Sequence, residues 1–111
     1  MVYLATATVV TETNYNHPTI TIDNTDTPYT VDDTIEVILC DCTSSAIHVD
    51  LPTAAGRQGA YYNIKKIDST ANAVTIDGLD AETIDGAATQ LIYGQYDSYT
   101  LVSDGTNWVI V

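Results

Sequence analysis

Residues 51–111 read LPTAAGRQGAYYNIKKIDSTANAVTIDGLDAETIDGAATQLIYGQYDSYTLVSDGTNWVIV. The tract is a series of short apolar runs, each closed by Gly, Asp, Asn or Pro, and no window of it holds a helical period. Gly tolerates positive φ, Asp and Asn hydrogen-bond their own backbone, and Pro fixes φ and lacks a donor, so each break is a turn with a physical cause. Working outward, runs fall at residues 19–23, 29–31, 35–42, 46–51, 60–67, 73–76, 89–93, 99–103 and 108–111. Their spacing predicts an all-β fold: a small antiparallel β-sandwich or barrel of about eight short strands. Asp104-Gly105-Thr106-Asn107 predicts a hairpin between the last two runs, and residues 68–72 a similar connection between the runs at 60–67 and 73–76. Pro52 is expected to end the strand before it. Thr75-Ile76-Asp77-Gly78 recurs as Thr83-Ile84-Asp85-Gly86, but two copies at a spacing of eight do not establish a solenoid.

Composition agrees with this reading. The chain has 111 residues, enough for one domain with one core, and 45% of them are hydrophobic although Phe is absent. Thr, Val, Ile and Tyr fill that gap, and these stiff side chains suit a pleated sheet. Fifteen acidic residues against three basic ones give a net charge of -12, which opposes a nucleic acid backbone and excludes nucleic acid as a partner. Arg57, Lys65 and Lys66 lie within ten positions, while residues 1–56 hold eight carboxylates and no Lys or Arg. The asymmetry would orient the protein on a cationic partner; a solvated acidic surface that keeps a β protein soluble accounts for it more simply. No run of 18 apolar residues exists, so no membrane-spanning helix is expected. Residues 1–10 lack the basic start of a secretory signal, which suggests synthesis and use in a cytosol.

Chemistry-bearing constellations are few. Cys40 and Cys42 are two apart, which puts both on one strand face and makes a bridge between them strained, so free thiols are expected. Only His17 and His48 are available to complete a metal site with them. In the alternating run 46–51, Ile47, Val49 and Leu51 form the core face and His48 and Asp50 the other, where His48 pairs with a cross-strand neighbour. No nucleophile, phosphate-loop, dinucleotide or zinc-protease motif occurs, and the expected protein is neither an enzyme nor dependent on a cofactor. Asp77, Asp80, Glu82 and Asp85 are oxygen donors of the kind Ca2+ takes, though without the order of a helix-loop-helix site, and turn formation explains them as well. Tyr61, Tyr62, Tyr93, Tyr96 and Tyr99 are residue types that stack on sugar rings; in a chain without Phe they also have to build the aromatic core.

The last run is apolar on both faces, with Trp108 and Ile110 on one side and Val109 and Val111 on the other. A strand of that kind needs cover twice. In a small domain a neighbouring subunit is an economical source, so Trp108, Val109, Ile110 and Val111 are the candidate oligomer interface.

Leu51-Pro52-Thr53-Ala54-Ala55, Ile64-Lys65-Lys66-Ile67-Asp68, Thr83-Ile84-Asp85-Gly86 and Ser103-Asp104-Gly105-Thr106-Asn107-Trp108 follow one another in a fixed order. In that series the chain resembles the small β domains that end many tailed-bacteriophage fibre and head-appendage proteins. The resemblance implies a homotrimer about an axis and a non-enzymatic virion structural protein, made in the host cytoplasm and displayed on the particle. Residues 18–111 are then the β domain and residues 1–17 an N-terminal arm. A chain starting at Met1 has little room for a fibre shaft, which favours a capsid decoration, cement or knob (head fibre) protein. Its partners are expected to be itself and the major capsid protein or another virion protein. The arm would grip through Val2, Tyr3, Leu4, Val9 and Val10, adding a strand to an edge. The competing role is a tail fibre or baseplate tip that recognises host carbohydrate through Tyr93, Tyr96 and Tyr99.

Overall fold

A computed structural model describes residues 16–111, and the expected arm residues Val2, Tyr3, Leu4, Val9 and Val10 lie outside them. Nine strands are present: β1 (Thr19–Ile22), β2 (Tyr29–Thr30), β3 (Val37–Cys40), β4 (Ile47–Asp50), β5 (Tyr61–Lys66), β6 (Val74–Asp77), β7 (Thr89–Ile92), β8 (Ser98–Ser103) and β9 (Trp108–Ile110). Each coincides with one of the nine runs read from the sequence, and no helix occurs among the described residues. The strands form a five-stranded sheet, β1-β3-β5-β8-β9, and a four-stranded sheet, β2-β4-β6-β7.

The topology corrects the expected antiparallel arrangement. From β1 to β6 the chain alternates between the two sheets, so β1, β3 and β5 pair in parallel on one side and β2, β4 and β6 in parallel on the other. That is a two-sided coil of three rungs. Only then does the chain reverse: β7 pairs antiparallel with β6, β8 with β5, and β9 with β8 in the predicted terminal hairpin. The connection at residues 68–72 is therefore no hairpin but a corner that carries the chain from one sheet to the other. The three corners that lead from the five-stranded to the four-stranded sheet share one turn. Asp23, Asp41 and Asp68 each accept the N–H and the hydroxyl of the Thr two residues on, Thr25, Thr43 and Thr70. This Asx turn satisfies the backbone N–H locally as the chain leaves the sheet, without a partner strand.

Alternation supplies the core. Ile38 and Cys40, Ile47 and Val49, Tyr62 and Ile64, Val74 and Ile76, Leu101 and Ser103 point inward from the two sheets and are buried. Trp108 is fully buried and lies against Tyr62, with ring centroids 5.5 Å apart. The doubly apolar last strand thus has its inner cover from its own chain at Trp108, while Val109 and Ile110 are half-buried and Val111 is 73% exposed.

Lys66 occupies the innermost layer below Cys40 and Ile22, with which it is in register. It is completely buried. Its three ammonium N–H groups meet three acceptors: Asp68 Oδ2 at 2.6 Å, Asp68 O at 3.1 Å and Thr70 O at 2.8 Å. Asp68 in turn accepts the backbone N–H of Cys42 at 2.7 Å, which ties the third rung to the second. Burial alone would raise the Asp68 carboxyl, but the Lys66 ammonium and the hydrogen bonds from Thr70 and Cys42 outweigh it and hold the group far below the usual carboxylate range.

Candidate functional site

The four motif steps take their places in this frame as structural parts. Ile64 is core, Lys65 points outward, and Lys66 and Asp68 are the buried pair. The other three steps meet at one end of the domain. Pro52 O accepts Trp108 Nε1–H at 3.3 Å, Ala54 O accepts Ser103 Oγ–H at 2.8 Å, and Asp85 accepts the N–H of Ile110 at 3.0 Å. Ile84 is buried and bridges Trp108, with Trp108 N donating to Thr83 O at 2.9 Å. Asp85 and Gly86 both have positive φ, 50° and 83°, and Gly105 has 99°, the conformations that Asp and Gly supply at tight turns. Three of the four steps therefore lock β9 against the loops after β4 and β6.

Two sheet faces look outward, and their chemistry differs. On the five-stranded sheet the outward strand positions are Thr19 and Thr21 of β1, Val37 and Leu39 of β3, Tyr61, Asn63 and Lys65 of β5, Ser98, Thr100 and Val102 of β8, and Val109 of β9. None is a carboxylate, in a chain that carries fifteen. Tyr61, Val102 and Val109 lie side by side across three strands, with exposed Val111 following β9. On the four-stranded sheet, by contrast, Asp50 and Asp77 face each other across β4 and β6. His48 lies on that same face, as its alternation implied, and its Nε2 is 3.2 Å from both Asp50 Oδ1 and Asp77 Oδ2. His17 is instead at the domain's edge, 2.6 Å from Glu36 and against the Tyr61 ring, so the last residue assigned to the arm packs on the β domain.

The tyrosines separate. Tyr93 and Tyr99 line a groove of about 310 Å³ together with Leu91, Ile92, Asp97 and Ser98. Tyr96, 61% exposed, lies outside that lining and sits under Lys65, whose Nζ is 5.7 Å from the ring centroid. The acidic residues considered for Ca2+ do not converge. Glu82 accepts Thr53 Oγ1 at 2.6 Å and Ala54 N at 2.8 Å, Asp85 holds Ile110, and Asp77 faces His48. Among the described residues the one group of three suitably close metal-ligating side chains is His48, Asp50 and Asp77. Both cysteines are buried and unbridged; burial pushes the Cys40 thiol up to about 12 and that of Cys42 to about 11, which leaves them protonated and unreactive at neutral pH.

Sequence reasoning missed the carboxylate-free face, since it requires knowing which strands are neighbours. It also missed the pairing of Asp50 with Asp77, 27 residues apart, for the same reason. No family model matches the chain, and no curated protein matches it.

Proposed function

We propose that this is a non-enzymatic virion structural protein of a tailed bacteriophage, self-associating as a homotrimer and serving as a capsid decoration, cement or knob (head fibre) protein. The observation that supports it most is the outer face of the five-stranded sheet. A chain of net charge -12 repels its own copies over most of its surface, and repulsion is least where no carboxylate points outward. That face also presents Tyr61, Val102, Val109 and Val111, the apolar area that a subunit contact buries. The reading rests as well on the serial motifs at residues 51–108, whose buried roles suit a scaffold rather than a reaction centre.

The groove lined by Tyr93 and Tyr99 favours a second reading, a tail fibre or baseplate tip that binds host carbohydrate. Aromatic walls beside Asp97 and Ser98 are the combination that stacks on a sugar ring and accepts its hydroxyls. Host-adsorption and particle-stability assays on virions carrying Tyr93→Ala together with Tyr99→Ala separate the two. A decoration role predicts unchanged adsorption, with particles that lose integrity on heating only when the whole protein is absent. Abolished adsorption with intact particle stability would transfer the function to the groove.

A further inference from the structure

We propose that His48, Asp50 and Asp77 form a zinc-type divalent metal site on the outer face of the four-stranded sheet. The three donor atoms, one imidazole nitrogen and two carboxylate oxygens, lie within 4.8 Å of one another. Nε2 is 3.2 Å from each carboxylate oxygen. A tetrahedral ion with bonds of about 2.0–2.1 Å holds its ligands roughly 3.3–3.4 Å apart, so two of the three ligand-ligand edges, at 3.2 Å, are slightly shorter than that and need only a small opening. One nitrogen and two oxygens with open positions is a catalytic-type or exchangeable ligand set rather than the closed sulfur-rich set of a structural zinc, and imidazole favours Zn2+ over Ca2+.

The register supplies a separate reason for a cation. Asp50 and Asp77 are directly opposite each other in the parallel pairing of β4 with β6, and like charges in that relation destabilise a sheet. Among the described residues neither is paired with Lys or Arg. The ligands are also held in advance. β4 and β6 are the two inner strands of their sheet, and the N–H of His48 is fixed by Thr27 Oγ1 at 2.8 Å. A site built on inner strands needs little reorganisation to bind. Beside it, a groove of about 290 Å³ lined by Thr30, Asp50, Asp77, Gly78 and Asp80 leaves room for water or an exogenous ligand to complete the coordination.

Calorimetric titration of the full-length chain with Zn2+ tests the site, alongside Asp77→Asn, His48→Gln and, as a control, His17→Ala, whose imidazole also meets a carboxylate. The expected result is one Zn2+ per chain with a raised melting temperature, binding lost in Asp77→Asn and His48→Gln and kept in His17→Ala. In the unmodified protein the imidazole NMR signals of His48 shift on Zn2+ addition while those of His17 stay, a readout that survives if a variant misfolds. Absence of binding would overturn the proposal. So would binding that persists in Asp77→Asn and His48→Gln, or that disappears with His17→Ala.

Discussion

Asp68→Ala is expected to destabilise the domain by about 3–5 kcal/mol, the cost of leaving a buried charge without its partner. Against a total of roughly 5–15 kcal/mol for a domain of this kind, that is enough to unfold much of the population at moderate denaturant. The substitution strands the Lys66 ammonium in the innermost layer and removes the acceptor of the Cys42 and Thr70 N–H groups. Lys66→Met is expected to cost less. Asp68 then keeps its N–H and hydroxyl donors, and the apolar side chain joins the stack of Cys40 and Ile22. Denaturant midpoints at fixed protein concentration rank the two variants; equal losses would mean that the stranded Asp68 carboxylate costs as much as the stranded Lys66 ammonium. The same pair sets an acid dependence. Because the folded carboxyl titrates below its unfolded value, its contribution is complete above the unfolded range near pH 4 and is lost as pH falls below it. Asp68→Asn should flatten the fall in stability between neutral pH and pH 2.

Trp108→Ala is expected to cost a similar amount, about 3–5 kcal/mol, because a fully buried indole leaves a cavity that the sheets cannot close. It removes the contact with Tyr62 and the hydrogen bond to Pro52 O. Val109→Ala, on the outer side of the same strand, should change the stability of the isolated subunit by less than about 1 kcal/mol, since its side chain is half-exposed there. Circular dichroism melts of the two variants check the contrast. A small effect at Trp108 would mean that the last strand is not locked into the core.

Strand positions were legible because alternation and turn residues are local signals. Strand partners were not. A short polar connection such as residues 68–72 has the composition of a hairpin whether the next strand folds back or steps to the other sheet. Asp-x-Thr recurs at Asp23, Asp32, Asp41 and Asp68, where it makes the same turn between strands of different sheets, but it also occurs at Asp104 in the terminal hairpin, so the motif alone does not tell a corner from a hairpin. The regular repeat of Thr75–Gly78 in residues 83–86 pointed away from the coil, because Ile84 bridges Trp108 and belongs to no rung. Lys66 shares its strand face with Ile64 by simple alternation, so its inward direction was available in the sequence; the partner two residues on completes the signal. For the outer faces, Val109 reads as one side of a doubly apolar strand, but its place beside Val102 and Tyr61 emerges only once β5, β8 and β9 are known to be neighbours.

Self-association through the carboxylate-free face is tested most directly by light scattering of the full-length protein at micromolar concentration, with Val102→Glu alongside. The expected mass is about three times the 12.0 kDa of one chain, falling to a single folded chain when Val102, between Tyr61 and Val109, becomes a carboxylate. A 12.0 kDa particle for the unmodified protein, or a trimer indifferent to Val102→Glu, would contradict the account.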